Sequence, residues 1–247
     1  MDPYLETPAI APAPDSGHVH AWRLHLSPPD ATLPALHDLL SPEERVKAAR
    51  FRFDHDRHRY IVAHAALRLV LAGYLHCKPA DVLLQPGALG KPLLAGPGRV
   101  GSLSFNLSHS GDWGLLGVGQ QEHIGVDIEQ YRDIPDLQEV AATVLSEAEL
   151  SVLHTRPAQE RAACFLRLWT RKEAVVKATG AGIGTALDAI EIDPADPPLA
   201  DVFTVTAGLP DLPLLFGRSF AWDADYFGAI VCENAPPQLA WYEYPAR

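Results

Sequence analysis

Apolar residues recur along this chain with two periods, and each period marks a different kind of element. From Phe165 to Gly180 the spacing is helical, so that Ala162, Phe165, Leu166, Trp169 and Val176 share one apolar arc. Good helix formers fill the interior, and Gly180 stands where a C-cap belongs. Glu173 falls inside the arc, Lys177 sits at its edge, and Arg167 and Arg171 point the other way. Residues 123–129 (HIGVDIE) alternate instead, as a strand with Ile124, Val126 and Ile128 on one face and Asp127 and Glu129 on the other.

The same two periods divide the rest of the chain. A strand is predicted over 18–26, and a helix starts at SPEER with Ser41 as N-cap, Pro42 in the first turn and Glu44 completing a capping box. A longer helix follows over 54–76, with Ile61, Ala65, Leu67, Leu69 and Leu71 on its apolar stripe. Two strands flank the Gly111-Asp112 turn within 102–119, and a tight turn leads on into 123–129. Helices over 136–145 and 146–155 precede the central one, the second with a Ser146/Glu149 capping pattern, and 185–247 is mostly strand. This order describes two similar halves that meet near residue 120, behind a Pro/Ala-rich leader, 1–17, expected to be disordered.

Against this pattern the acids stand out. A carboxylate on a buried face is unstable unless it is paired, protonated or bound to a metal. For Glu173 the plain reading is an i,i+4 pair with Lys177. The other is that Asp127, Glu129 and Glu173 together form an all-oxygen site suited to Mg²⁺, and spacing leaves both open. Ser108-His109-Ser110 ends a strand near the acidic one. Adjacent residues make a poor nucleophile–base pair, but their donors suit phosphate oxygens. Arg45, Lys47 and Arg50 form either a solvated basic face or an anion site. His55, His58 and His64 are spaced wrongly for one metal and are assigned surface and packing roles. Gly90-Lys91 lacks the glycine spacing of a phosphate-cradling loop, and Pro92 replaces its Ser/Thr.

Composition narrows the class. A net charge of −11 argues against nucleic-acid binding, and no apolar run reaches the ~20 residues of a membrane span. Three scattered cysteines, Cys77, Cys164 and Cys232, fit a reducing cytoplasm, and the N-terminus lacks the features of a signal peptide. Only five of the 20 basic residues are lysines, yet Lys91, Lys172 and Lys177 all lie in the segments singled out here.

Taken together, GKP (90–92), FNLSHS (105–110), GVDIE (125–129) and WTRKEAVVKATG (169–180) resemble the signature set of the 4′-phosphopantetheinyl transferases, in the larger surfactin-synthetase-activator type. The resemblance covers the SPEER helix through about residue 183 and, more loosely, the end of the chain. It implies an α/β (α+β) pseudodimer of halves 18–120 and 121–247, each a small, mostly antiparallel sheet packed with helices, with the active site between them. It also implies transfer of the phosphopantetheine arm of coenzyme A to a serine of an apo carrier protein, releasing 3′,5′-ADP. Asp127, Glu129 and Glu173 would hold Mg²⁺, and Glu173, or a water it orients, would take the serine proton. Lys177 and Lys172 would stabilise the pyrophosphate and leaving group. Ser108 and His109 would contact the nucleotide, Gly90, Lys91 and Pro92 would border it, and Lys91 would reach a phosphate.

The first helix departs from the family, which often places two basic residues there for the 3′-phosphate. Glu44 stands at one of those positions, leaving Lys47, Arg50 and Arg59 as candidates. Carrier docking is implied at 181–190 and at the helix after GVDIE, through an apolar patch with basic rims because the chain is acidic overall. A pseudodimer that encloses its own site implies a monomer. Two alternatives remain: a Mg²⁺-dependent hydrolase of the coenzyme A pyrophosphate, and a non-catalytic carrier-binding relative.

Overall fold

The computed structural model describes residues 2–9, 12–87, 90–96, 103–182, 186–192, 201–207, 213–222 and 225–245. The first half runs from β1 (His18–His25) through α1 (Leu33–Asp38) and α2 (Pro42–Ala48) to the long α3 (Asp54–Leu75). After a small hairpin, β2 (Leu84–Pro86) with β3 (Pro92–Leu94), comes a longer one, β4 (Ser104–Ser110) with β5 (Trp113–Gly119). The second half runs from β6 (Ile124–Gln130) through α4 (Leu137–Val144) and α5 (Glu147–His154) to α6 (Arg161–Thr179). It continues through β7 (Glu191–Ile192) and β8 (Val202–Ala207) to the hairpin of β9 (Leu215–Trp222) and β10 (Tyr226–Glu233).

The two halves repeat one topology. β5 lies between β1 and β4, and β10 lies between β6 and β9, so in each half the hairpin's second strand returns to pair antiparallel with the first strand. One buried cluster gathers α3 on the first sheet, and others gather α6 on the second, with Val19, Ala21 and Leu115 meeting Val126, Ile128 and Ile230 between the sheets. Both capping boxes form as expected, at Ser41/Glu44 and Ser146/Glu149, and Gly180 ends α6 with a left-handed φ of 69°.

Three expectations change. β11 (Gln238–Tyr244) returns to the first half and pairs parallel with β1, so 121–247 is not a self-contained unit. β11 covers what would otherwise be the exposed edge of β1, and Tyr242 stacks on Trp22 at 4.7 Å. The leader is docked where it is described. Residues 3–5 form a single 3-10 turn, Tyr4 is buried in the first core, and its carbonyl accepts from the Tyr244 hydroxyl at 2.9 Å. Finally, α6 is not amphipathic with a single apolar arc. It lies on β6 and β10 with α5 alongside, so Arg171 and Lys172 are buried while Trp169 is only partly so. Arg171 resolves its burial by donating from Nε to Ser219 Oγ (2.8 Å) and lying over the Phe203 ring.

α6 lies close against β6 at Gly125, where an added Cβ would overlap the Ala174 carbonyl oxygen and the Ala178 amide nitrogen, both backbone. Gly125→Ala should therefore lower the unfolding free energy by about 3 kcal/mol, as overpacking against rigid backbone does. Urea denaturation would measure this, and a loss below about 1 kcal/mol would mean that the helix does not press on the strand.

Candidate active site

β4 and β6 belong to different sheets but meet side by side where the halves join. Asn106, Ser108 and Ser110, spaced by two along β4, all face β6. Asn106 Oδ1 accepts from the Val126 amide (2.8 Å), and Ser108 Oγ donates to Asp127 Oδ1 (2.9 Å). Ser110 Oγ donates to Glu129 Oε2 (2.9 Å) and accepts from the Gln130 amide (3.1 Å). Side chains thus replace a backbone ladder along this seam, and in doing so they aim both acids of β6. Ser108 contributes as a positioner: its one proton goes to Asp127, which leaves it no donor for a nucleotide.

From α6, Lys177 Nζ reaches Asp127 Oδ1 (2.5 Å) and Ser108 Oγ (3.0 Å). The i,i+4 pair with Glu173 does not form, and Glu173 has no hydrogen-bonding or ion-pair partner among the described residues. Asp127 is 3% exposed, and its Oδ2 is buried without a hydrogen-bond partner. Burial raises the pKa of Asp127, with Lys177 and Ser108 opposing. Glu129 is raised by burial and then by Asp127, and Glu173 by burial, Asp127 and Glu129, with Lys177 opposing. Three mutually repelling carboxylates therefore share one ammonium. Surplus negative charge, oxygen-only donors and an orphaned Oδ2 fit a hard divalent cation. As the side chains stand, no group of three His, Cys, Asp or Glu among the described residues is arranged to hold one.

A groove of 870 Å³ opens in the first half, lined in part by Lys47, Tyr60, His64, Arg68, Gly90 and Pro92. Lys47 lies over the Tyr60 ring at 5.3 Å, and Arg50 joins it on an adjoining surface depression. Arg59 is engaged with Asp112 at 3.0 Å. His109 keeps an open face to solvent but is crowded by protein. Burial lowers its pKa, and His64, Lys177, Lys47 and Arg59 lower it further. Glu44 does not present a bare negative charge to the groove. Burial works against its ionisation, but hydrogen bonds from His64, Arg68 (2.7 Å) and the Ser41 amide outweigh this and bring its pKa down to about 2.

Two predicted contacts fall elsewhere. Lys172 is fully buried, and its ammonium donates to Glu149 Oε2, Leu187 O and Ile190 O, each at 2.7 Å. It joins α5, α6 and the turn after them, with no donor left for a leaving group. Lys91 donates to the Ile124 and Ala178 carbonyls, described further below. Residues 183–185 of the expected docking segment lie outside the described residues. Asn106 and Ser110 were missed as positioners, although the period-two spacing of polar residues in FNLSHS was there to show them.

Acids and a lysine thus meet at the junction of the two α/β halves, and a cation-lined groove opens in the first of them. Residues 24–121 match the family model "4′-phosphopantetheinyl transferase, N-terminal", and 123–222 match that of the 4′-phosphopantetheinyl transferase superfamily. The 4′-phosphopantetheinyl transferase HetI of Nostoc is 36% identical over 79% of this chain and 84% of its own. The Sfp enzyme of Bacillus subtilis is 31% identical over 62% of this chain and 66% of its own, and human L-aminoadipate-semialdehyde dehydrogenase-phosphopantetheinyl transferase 26% over 62% and 52%. The chain belongs to the 4′-phosphopantetheinyl transferases, in their larger type, and is an enzyme.

The acid cluster sets a pH signature for the ligand-free protein. A carboxyl whose pKa is raised by folding holds its proton to higher pH in the folded state, so its ionisation weakens the fold. That penalty is absent below about pH 4 and grows as pH rises through the ordinary carboxylate range to the raised values. Glu173→Gln should therefore raise the melting temperature at pH 7.5, with the gain fading toward pH 4. A loss of stability at pH 7.5 would contradict the crowding. Glu44, with its lowered pKa, acts in the opposite sense and stabilises the fold until pH falls toward 2.

Proposed function

We propose that this enzyme transfers the 4′-phosphopantetheine arm of coenzyme A to a serine hydroxyl of an apo carrier protein, with Mg²⁺ held by Asp127, Glu129 and Glu173. The observation that carries this reading is the cluster of Asp127, Glu129 and Glu173 with Lys177 at the junction, in a chain whose first half opens a cation-lined groove. Bound there, Mg²⁺ would neutralise the pyrophosphate oxygens. Lys47, Arg50 and Arg59 hold the 3′-phosphate, Arg59 by exchanging Asp112 for it, and Gly90 and Pro92 wall the nucleotide. A neutral His109 can donate one N–H to a phosphate oxygen.

Glu173 takes the serine proton, a role that suits a carboxylate with a raised pKa and no competing hydrogen bond among the described residues. The serine oxygen bonds to the β-phosphorus as the bond to the bridging oxygen breaks, and that electron pair leaves with 3′,5′-ADP. Lys177 stabilises the charge that develops. Val140, 37% exposed on α4, belongs to the apolar surface offered to the carrier. Free Cys77, Cys164 and Cys232 and a site built within one chain support a cytoplasmic monomer.

The test is the intact mass of an apo carrier protein after incubation with enzyme, coenzyme A and Mg²⁺, beside an EDTA control. A metal-dependent gain of one phosphopantetheine arm is expected. Breakdown of coenzyme A without that gain would make the protein a hydrolase. Asp127→Ala and Glu173→Ala should each lower turnover by about 100-fold or more. Lys47→Ala should raise KM for coenzyme A by about 10-fold, the worth of one charged hydrogen bond, and leave KM for 3′-dephospho-coenzyme A unchanged. Equal effects on both substrates would make Lys47 a surface charge only.

A further inference from the structure

Lys91 sits in the turn between β2 and β3, beside Gly90 and Pro92, which line the groove. Its ammonium nevertheless crosses to the other half. Nζ donates to the carbonyl of Ile124, where β6 begins (2.8 Å), and to that of Ala178 in the last turn of α6 (3.1 Å). The alkyl stem passes over Gly180, at which a Cβ would touch Lys91 Cδ at 3.8 Å and Cβ at 3.9 Å. The Ala178 carbonyl is among the last four of its helix, which no helical amide can reach, and a cation is favoured at that end. Two of the lysine's three N–H donors are therefore committed to backbone across the junction. Burial lowers its pKa to about 8.

We propose that Lys91 is a positioning residue for the transfer reaction. From the loop that walls the groove, it clamps the start of β6 to the end of α6. It thereby sets the strand that carries Asp127 and Glu129 against the helix that carries Glu173 and Lys177. This inference rests on the transfer reading above, and it differs from a direct phosphate contact because both acceptors belong to the chain itself.

Lys91→Met and Lys91→Arg separate the roles by their steady-state kinetics. A clamp predicts that Lys91→Met lowers kcat by about 10-fold, the worth of one charged hydrogen bond, while KM for coenzyme A stays within about 2-fold. Lys91→Arg, which keeps a charged donor able to reach two carbonyls, should recover part of kcat. A rise in KM for coenzyme A with kcat retained would overturn the proposal in favour of a ligand contact. Unchanged kinetics in folded Lys91→Met would overturn it as well.

Amide hydrogen exchange of the ligand-free protein supplies the arm that does not depend on activity. In Lys91→Met, exchange should quicken by about 10-fold or more at 176–182 and 124–126 and stay unchanged in β1 and α3. Uniform quickening, or none, counts against the clamp. If the wild type transfers nothing, the transfer reading fails, and exchange still decides whether the clamp exists. Should Lys91→Met not fold, Lys91→Gln takes its place under the same criteria. Failure of both to fold would mean that Lys91 supports the whole fold rather than the site.

Discussion

Asp127 Oδ1 is the point on which three elements converge. Ser108 from β4 donates to it, Lys177 from α6 pairs with it, and β6 carries it at the floor of the junction. A carboxylate this buried is unfavourable without partners, and removal of one partner leaves an uncompensated charge. The other oxygen has no hydrogen bond among the described residues, and Glu129 and Glu173 add repulsion. The sheets and helices supply the energy that keeps this unfavourable cluster together. Apolar packing between the sheets, through Val126, Ile128 and Ile230 against Val19, Ala21 and Leu115, lies beneath it.

Duplicated topology explains where the site lies and why it is asymmetric. Each half places a long helix on a sheet with the same strand order, yet the two helices bring different side chains to the site. α6 presents Glu173 and Lys177 there. α3 instead uses His64 and Arg68 to hold Glu44 beneath the groove. One half thus gathers negative charge at the junction, while the other turns Glu44 inward and leaves Lys47 and Arg50 outward. In a chain of net charge −11, the two signs of charge are sorted into different places.

The elements were legible because they follow local rules. Both capping boxes, the glycine that ends α6 and the alternation of HIGVDIE all depend on residues within a few positions of each other. Partners far apart in sequence were not legible. Helical spacing put Arg171 on an outward face, but α6 has protein on more than one side and Ser219 lies 48 residues away. Lys172 stands next to Glu173, and neighbours on a helix point in different directions. One meets Glu149 in the interior while the other faces the junction. The return of β11 to β1 spans most of the chain, and no local pattern encodes it.

The lysines show the same division at a finer grain. Four of the five lysines end on a fixed acceptor or ring. Lys172 ends on a carboxylate and two carbonyls, Lys91 on two carbonyls, Lys177 on an acid and a hydroxyl, and Lys47 on the face of Tyr60. A lysine is a flexible cation with three rotatable donors, which suits it to reach across gaps between elements. Of these four, Lys47 alone is exposed, and Lys177 alone touches an acid of the cluster. Four residues alike in sequence therefore divide into two that join elements, one that balances the acids and one that is open to a ligand.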